Sequence, residues 1–227
     1  MSLHVTRWHL LQDARAVARE AARRILAAAD RSLEQERAFR IVLSGGTTPG
    51  QAYALLRQAE SDWSGWEIYF GDERCLPPED PRRNSRMARD LWLDHVAIPP
   101  RNIHIIPAEL GPEAAARAYT PVVSEALPFA MVLLGLGEDG HTASLFPGHD
   151  HDPDELVHAI HQAPKPPPDR VSLSTRALSE TAELLILVTG QGKREAVRRW
   201  QAGEPLPVAA ITCRHGVDVL IDRSALP

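Results

Sequence analysis

Apolar positions along this chain fall into two patterns. From Asp13 to Ala29, Val17, Ala21, Ile25 and Ala28 recur at spacings of four, four and three, with Arg15, Arg19, Glu20 and Arg23 among them. That period predicts an amphipathic helix over 13–29. Short apolar runs follow at Phe39–Leu43, Trp66–Phe70, Ile103–Ile106, Phe129–Leu134, Leu184–Val188 and Val217–Ile221. Each is too brief for a helix, and they predict strands, most of them buried on both faces. Helical patterns lie between them at about 49–59, 84–95, 112–126 and 192–202. Such alternation predicts a doubly wound α/β fold, a mostly parallel sheet with helices on both faces. The proline-rich stretch Ala163–Asp169 resembles a linker. A strand-helix unit follows it and too little chain remains for a second core, so residues 1–227 are read as one domain with a long surface loop.

Composition narrows the function classes. The apolar fraction of 44% and charged fraction of 24% are ordinary for a soluble globular protein. A formal net charge of −5 argues against a nucleic-acid or anionic-membrane surface, though a local cluster of Arg and Lys can still bind a small anion. Two cysteines, Cys75 and Cys213, are too few for a disulfide framework. The start, Met1-Ser2-Leu3-His4, lacks the pattern of a secretory leader, and no run reaches the ~18 apolar residues of a membrane span. A cytoplasmic protein is the expectation. No apolar stripe or heptad marks an oligomer interface, and a monomer is the working expectation.

Four polar motifs each follow a predicted strand. They are Ser44-Gly45-Gly46-Thr47-Thr48-Pro49, Gly71-Asp72-Glu73-Arg74, the loop from Gly135 to His141, and Thr189-Gly190-Gln191-Gly192-Lys193. In an open parallel sheet ligands bind beyond the carboxyl ends of the strands, so parallel strands would bring all four motifs to one edge. In the first motif, paired glycines let backbone N–H groups approach an anion, Ser44 and Thr47 add hydroxyl donors, and Pro49 suits the first turn of a helix. A tight strand-to-helix turn without a ligand fits it equally well. The motif has neither the Walker Lys-Ser/Thr pair nor the spacing of a dinucleotide loop. Lys193 and Arg170 are candidate phosphate partners, set against the solvated surface that most Lys and Arg occupy. Asp72, Glu73 and Arg74 can serve a site or simply pair and cap the next element. Arg82, Arg83, Arg86 and Arg89 read as the solvated face of a helix.

His141 is the residue best suited to chemistry. Glycines at 135, 137 and 140 make a loop that can hold an imidazole at the sheet edge, with Asp139 placed to orient it. An unperturbed imidazole titrates near pH 6.5, which permits both acid and base work. A loop histidine bonded to its own backbone is the alternative. Ser144 lacks a nucleophile elbow and a third triad member, so a serine hydrolase is disfavoured. His149, Asp150, His151 and Asp152 match no zinc spacing and read as a hydrated loop.

Together these residues resemble the 6-phosphogluconolactonase family. The matching pieces are Ser44–Pro49, Gly71–Cys75, Asn84 with Met87–Arg89, and the long, specific run Gly135–Pro147, with weaker matches at Arg170–Ser174 and Gly190–Lys193. The resemblance implies a fold related to glucosamine-6-phosphate deaminases and ribose-5-phosphate isomerases. It also implies hydrolysis of a sugar-phosphate lactone in the oxidative pentose phosphate pathway, without metal or cofactor. By position, His141 would be the acid/base, Arg74 would contact the reacting end of the substrate, and Asp72 and Asp139 would lie beside them. Ser44, Gly45, Gly46 and Thr47, with Arg170 and Lys193, would surround the phosphate, and Asn84 would join the binding residues. The family often has Ser where Arg83 stands and Asn where Ser179 stands. Glucosamine-6-phosphate deaminases are the nearest rival, but they usually carry Tyr at the position of Arg74 and an acid soon after the His, and Thr142–Pro147 contains none. A non-catalytic sugar-phosphate sensor is the rival from another class, although the chain has no room for a partner domain.

Overall fold

Six strands form one parallel sheet in this computed structural model, which describes residues 5–36 and 38–227. They are β1 (Thr6–Leu11), β2 (Phe39–Leu43), β3 (Trp66–Phe70), β5 (Phe129–Gly135), β8 (Thr181–Val188) and β9 (Val217–Asp222), in the order β1-β9-β8-β5-β2-β3. The runs of Val, Ile, Leu and Phe in β2, β5 and β8 lack polar alternation because both faces of these central strands are covered, as in buried parallel sheets generally. Helix α1 (Ala14–Glu36) lays Val17, Ala21, Ile25 and Ala28 on the sheet, and its small residues let α2 (Thr47–Leu56) pack closely beside it.

The winding places the functional edge. From β1 through β2 to β3 the chain moves one way along the sheet; through β5, β8 and β9 it moves back. With right-handed crossovers, α1 and α2 cover one face, while α4 (Pro112–Ala126) and α6 (Arg194–Gln201) belong to the other. The direction reverses between β2 and β5, and in such sheets the crevice at that reversal is where ligands bind.

Several elements differ from the sequence expectations. Gly71–Arg74 is not a loop throughout: Asp72–Arg74 forms β4, which joins β7 (Arg170–Leu173) and β6 (Val157–Ile160) in a second, antiparallel sheet of order β4-β7-β6. Ile103–Ile106 is not a strand. It makes one bridge, Ile68 to Ile103, because Pro99 and Pro100 on one side and Pro107 on the other stop it from following the edge of β3. Helix α3 (Asn84–Leu91) stops short of the expected 84–95, and Arg83 is not on a solvated face; it is buried beneath the helix that it precedes. Among the described residues no helix is long and apolar enough to cross a membrane. Met1–His4, on which the absence of a leader was read, lies outside the described residues.

Candidate active site

The first loop of the site is built around Gly45. Ser44 leaves β2 with its N–H donating to Tyr53 Oη at 3.0 Å, while the Tyr53 hydroxyl donates to Ser44 O at 2.8 Å. One phenol from α2 thus ties the loop to the helix that the loop begins. Gly46, at φ 106°, makes the turn into α2 in a backbone region that favours glycine. A Cβ on Gly45 would fall 1.9 Å from Asn84 Oδ1, so only glycine allows this close packing.

Asn84 opens α3 (Asn84–Leu91), and its position depends on Glu73. The Glu73 carboxylate is fully buried. It accepts from Asn84 N at 2.7 Å, Ser85 N at 2.8 Å and Arg74 N at 2.9 Å, and it faces Arg83 Nε at 3.5 Å. Helix N–H groups that would otherwise lack partners are satisfied by a carboxylate from β4. Arg83 is held further by Glu109 at 2.8 Å and by Ile106 O at 2.8 Å. Glu73 is therefore structural, one of the roles its motif allowed, and Arg83, expected on a solvated face, is its buried partner.

Asp72, on the same short strand, points the other way. Its carboxylate accepts from Asn84 Nδ2 at 2.9 Å and from Ser144 Oγ at 2.6 Å. Ser144 is fully buried, so its hydroxyl positions Asp72 and is not open to a substrate.

His141 sits on the loop after β5. Its Nδ1 meets Asp139 Oδ1 at 2.5 Å, its main-chain N–H donates to the same carboxylate oxygen at 3.2 Å, and its ring packs on Phe146 at 4.7 Å. Among the described residues Nε2 has no hydrogen-bond partner, so that nitrogen is available to a ligand. Burial pulls the His141 pKa below its ordinary value of 6.5, against the opposing pull of Asp139 and Asp72 and with the help of Lys165. The loop is clamped from outside: Val208 N donates to Gly140 O at 3.3 Å, and Arg199 Nη1 reaches Asp139 O at 3.4 Å. A Cβ on Gly137 would stand 2.0 Å from His141 Nδ1. Gly137→Ala is therefore expected to push the imidazole aside and lower turnover by about 10²-fold while the thermal midpoint barely moves. Steady-state kinetics beside a melting curve check this.

These loops enclose a cleft of about 340 Å³ lined by Ser44, Gly45, Gly46, Asp72, Arg74, His141, Lys165, Arg170 and Lys193, among others. Of the residues singled out by sequence, Thr47 starts α2 just outside the lining, Asn84 stands behind Gly45, and Asp139 stands behind His141. Four cations face a single lining carboxylate, Asp72, in a chain whose formal net charge is −5. Arg74 and Arg170 are direct cross-strand partners, a juxtaposition of like charges that costs free energy unless an anion joins them. Lys193 is partly buried in the turn before α6, which lowers its pKa, while Glu138 acts in the opposite sense.

Sequence reasoning missed Lys165. It stands in the proline-rich loop, and no periodicity or motif ties that loop to the four strand ends. Neither unusual family position reaches the cleft lining: Arg83 is buried beneath α3, and Ser179 Oγ accepts from Thr212 N at 3.2 Å. Burial pushes the Cys75 thiol up to about 11, so it stays protonated and unreactive near neutrality. Among the described residues no group of three or more His, Cys, Asp and Glu is arranged to hold a metal; His151 instead stacks on His158 at 4.6 Å.

Residues 12–220 match the family described as glucosamine-6-phosphate isomerases/6-phosphogluconolactonase. A Mycobacterium leprae protein named 6-phosphogluconolactonase is 35% identical over 213 residues, covering 84% of this chain and 85% of that protein. The crystal structure of 6-phosphogluconolactonase from Thermotoga maritima superposes with a TM-score of 0.90 at 26% identity, covering 96% of this chain and all of that one. A monomeric glucosamine-6-phosphate deaminase, at 23% identity, reaches a TM-score of 0.83 over 96% of this chain and 98% of its own, so the fold alone does not separate the two chemistries. By its matched sequence and its fold, the chain belongs to the family of glucosamine-6-phosphate isomerases and 6-phosphogluconolactonases.

Proposed function

We propose that this chain hydrolyses 6-phospho-D-glucono-1,5-lactone to 6-phospho-D-gluconate, with His141 as the proton-transfer group and without a metal. The observation that carries the reading is the His141–Asp139 pair facing a cation-lined cleft, with no acidic side chain in Thr142–Pro147. The close identity to proteins named 6-phosphogluconolactonase favours the same substrate.

In this mechanism the phosphate is held by the N–H groups and hydroxyls of Ser44–Thr47 with Lys193 and Arg170. Each charge-assisted hydrogen bond is worth roughly 1.5–3 kcal/mol. That anchor sets the lactone carbonyl beside His141 Nε2. Asp139 holds Nδ1 protonated, so Nε2 takes a proton from water as the water oxygen bonds to the carbonyl carbon. Arg74 lies near the oxygen that becomes negative. When the intermediate collapses, the bond from carbon to ring oxygen breaks, and the imidazolium returns its proton to that oxygen. The sugar opens to a carboxylic acid and a hydroxyl, and the acid releases its remaining proton to solvent as it becomes the carboxylate.

Because burial lowers the His141 pKa, the imidazole stays neutral below its ordinary range. The acid limb of kcat/KM is expected to fall below pH 6.5, the ordinary imidazole value. A pH–rate profile checks it; a limb above that value would contradict the assignment. The reading as a whole is tested by turnover assays on the lactone and on glucosamine 6-phosphate side by side. Turnover of the lactone alone is expected, and turnover of the amino sugar alone would make the chain a deaminase.

A further inference from the structure

Among the described residues, helix α3 carries one cation that no acid answers. Arg83, just before the helix, is neutralised by Glu73 and Glu109, and Arg86 donates to Asp90 at 3.0 Å and to Glu79. Arg89 is half-buried, and among the described residues it has neither an ion pair nor a hydrogen bond. Its Nε is buried without a partner. A guanidinium N–H left unmet in this way costs free energy that a bound acceptor would recover.

Ser85 and Arg86 precede Arg89 by four and three residues, the spacings at which helix side chains become neighbours. All three line a cavity of about 270 Å³ between α3 and the segment that holds Ile105 and Pro107. Ser85 is buried, and its hydroxyl makes no hydrogen bond among the described residues. Arg86 Nη2 is likewise unused. The two acids in the lining, Glu79 and Glu109, are already committed to Arg86 and Arg83. None of these residues lines the cleft that holds His141.

We propose that Arg89, Arg86 and Ser85 form a second anion site, outside the catalytic cleft, which takes a phosphate group. A guanidinium fork presents paired donors that match phosphate oxygens, and the serine hydroxyl adds a third direction. The cavity is smaller than the ~300–1,000 Å³ of pockets for drug-sized ligands. Its occupant is therefore inorganic phosphate or a small phosphate ester, and not a nucleotide. The site reaches the cleft through the helix itself. Ser85 N and Asn84 N share the Glu73 carboxylate, and Asn84 Nδ2 holds Asp72. An anion bridging Ser85 and Arg89 clips the first turn of α3 to the next and steadies that placement. The site does not depend on which substrate the cleft turns over.

Equilibrium dialysis with radiolabelled inorganic phosphate counts the sites on the wild type, Arg89→Gln, Lys193→Gln and the double variant. The wild type is expected to bind two phosphates per chain, the one at Arg89 with a Kd of about 1 mM. Arg89→Gln should weaken that one alone, by at least about 10-fold, and keep wild-type turnover in phosphate-free buffer. Lys193→Gln should keep it and weaken the other, and the double variant should weaken both. Arg89→Lys retains the charge without the fork and should bind between wild type and Arg89→Gln, a grading that misfolding would not produce. Glycerol 3-phosphate as competitor separates the sources. Displacement at lower concentration than unlabelled phosphate marks an ester as the occupant, and displacement only at equal or higher concentration marks the free ion. A single phosphate that Lys193→Gln weakens and Arg89→Gln leaves unchanged would overturn the site. A single phosphate weakened by Arg89→Gln and not by Lys193→Gln would support it and count against the phosphate anchor proposed for the cleft.

Discussion

Replacing His141 by alanine is expected to lower lactone turnover by about 10²–10⁴-fold while 6-phosphogluconate still binds. The size follows from the division of labour in the ring. Nδ1 is committed to Asp139, which fixes the tautomer and the ring plane, and Nε2 faces the cleft with no protein partner among the described residues. No neighbouring acid, thiol or hydroxyl substitutes for it. Asp72 is held by Ser144 and Asn84, the Cys75 thiol is protonated, and the Ser144 hydroxyl is buried. Product affinity should persist because the phosphate contacts lie on the other loops. The lactone also opens spontaneously, so rates are compared after subtracting the uncatalysed reaction. Turnover close to wild type would remove His141 from the mechanism.

The second large effect is on stability. Glu73→Ala is expected to cost about 3–5 kcal/mol, because it leaves the buried Arg83 charge without one of its two carboxylate partners and strips the caps from α3. A chain of this size should then unfold on the order of 10 °C lower. Glu109 is partly exposed and faces Arg83 from one side only, so it offsets little of the loss. Activity should fall with stability, since Asn84 and therefore Asp72 are placed by the start of α3. Thermal or denaturant unfolding checks the figure, and a loss below about 1 kcal/mol would show that the pair carries little of the fold.

The parallel sheet was legible because its central strands are covered on both faces and read as continuous apolar runs, and because Gly45, Gly137 and Gly140 mark strand ends where backbones pass close to side chains. The antiparallel sheet was not legible. β4 is three polar residues long, and β6 and β7 are four each, too short for a period of two to emerge. β1 escaped as an edge strand in which Arg7 and His9 are spent on Asp218 rather than set in an apolar pattern. Arg83 looked like its more exposed neighbours Arg82 and Arg86, since nothing in its immediate sequence foretells a buried carboxylate on a distant strand. Lys165 was hidden for a similar reason: its place in the cleft depends on the hold that Arg170 exerts on loop carbonyls, an interaction that sequence spacing does not encode.

One sugar phosphate is expected to span the loops after β2, β5 and β8. The most direct measurement is a crystal structure with 6-phosphogluconate bound. The phosphate should lie within hydrogen-bond distance of the Gly45–Thr47 backbone and of Lys193, with the carboxylate carbon facing His141 Nε2. Product seated instead in the larger cavity lined by His149, His151 and Arg176, or bound with its carboxylate turned away from His141, would contradict the account.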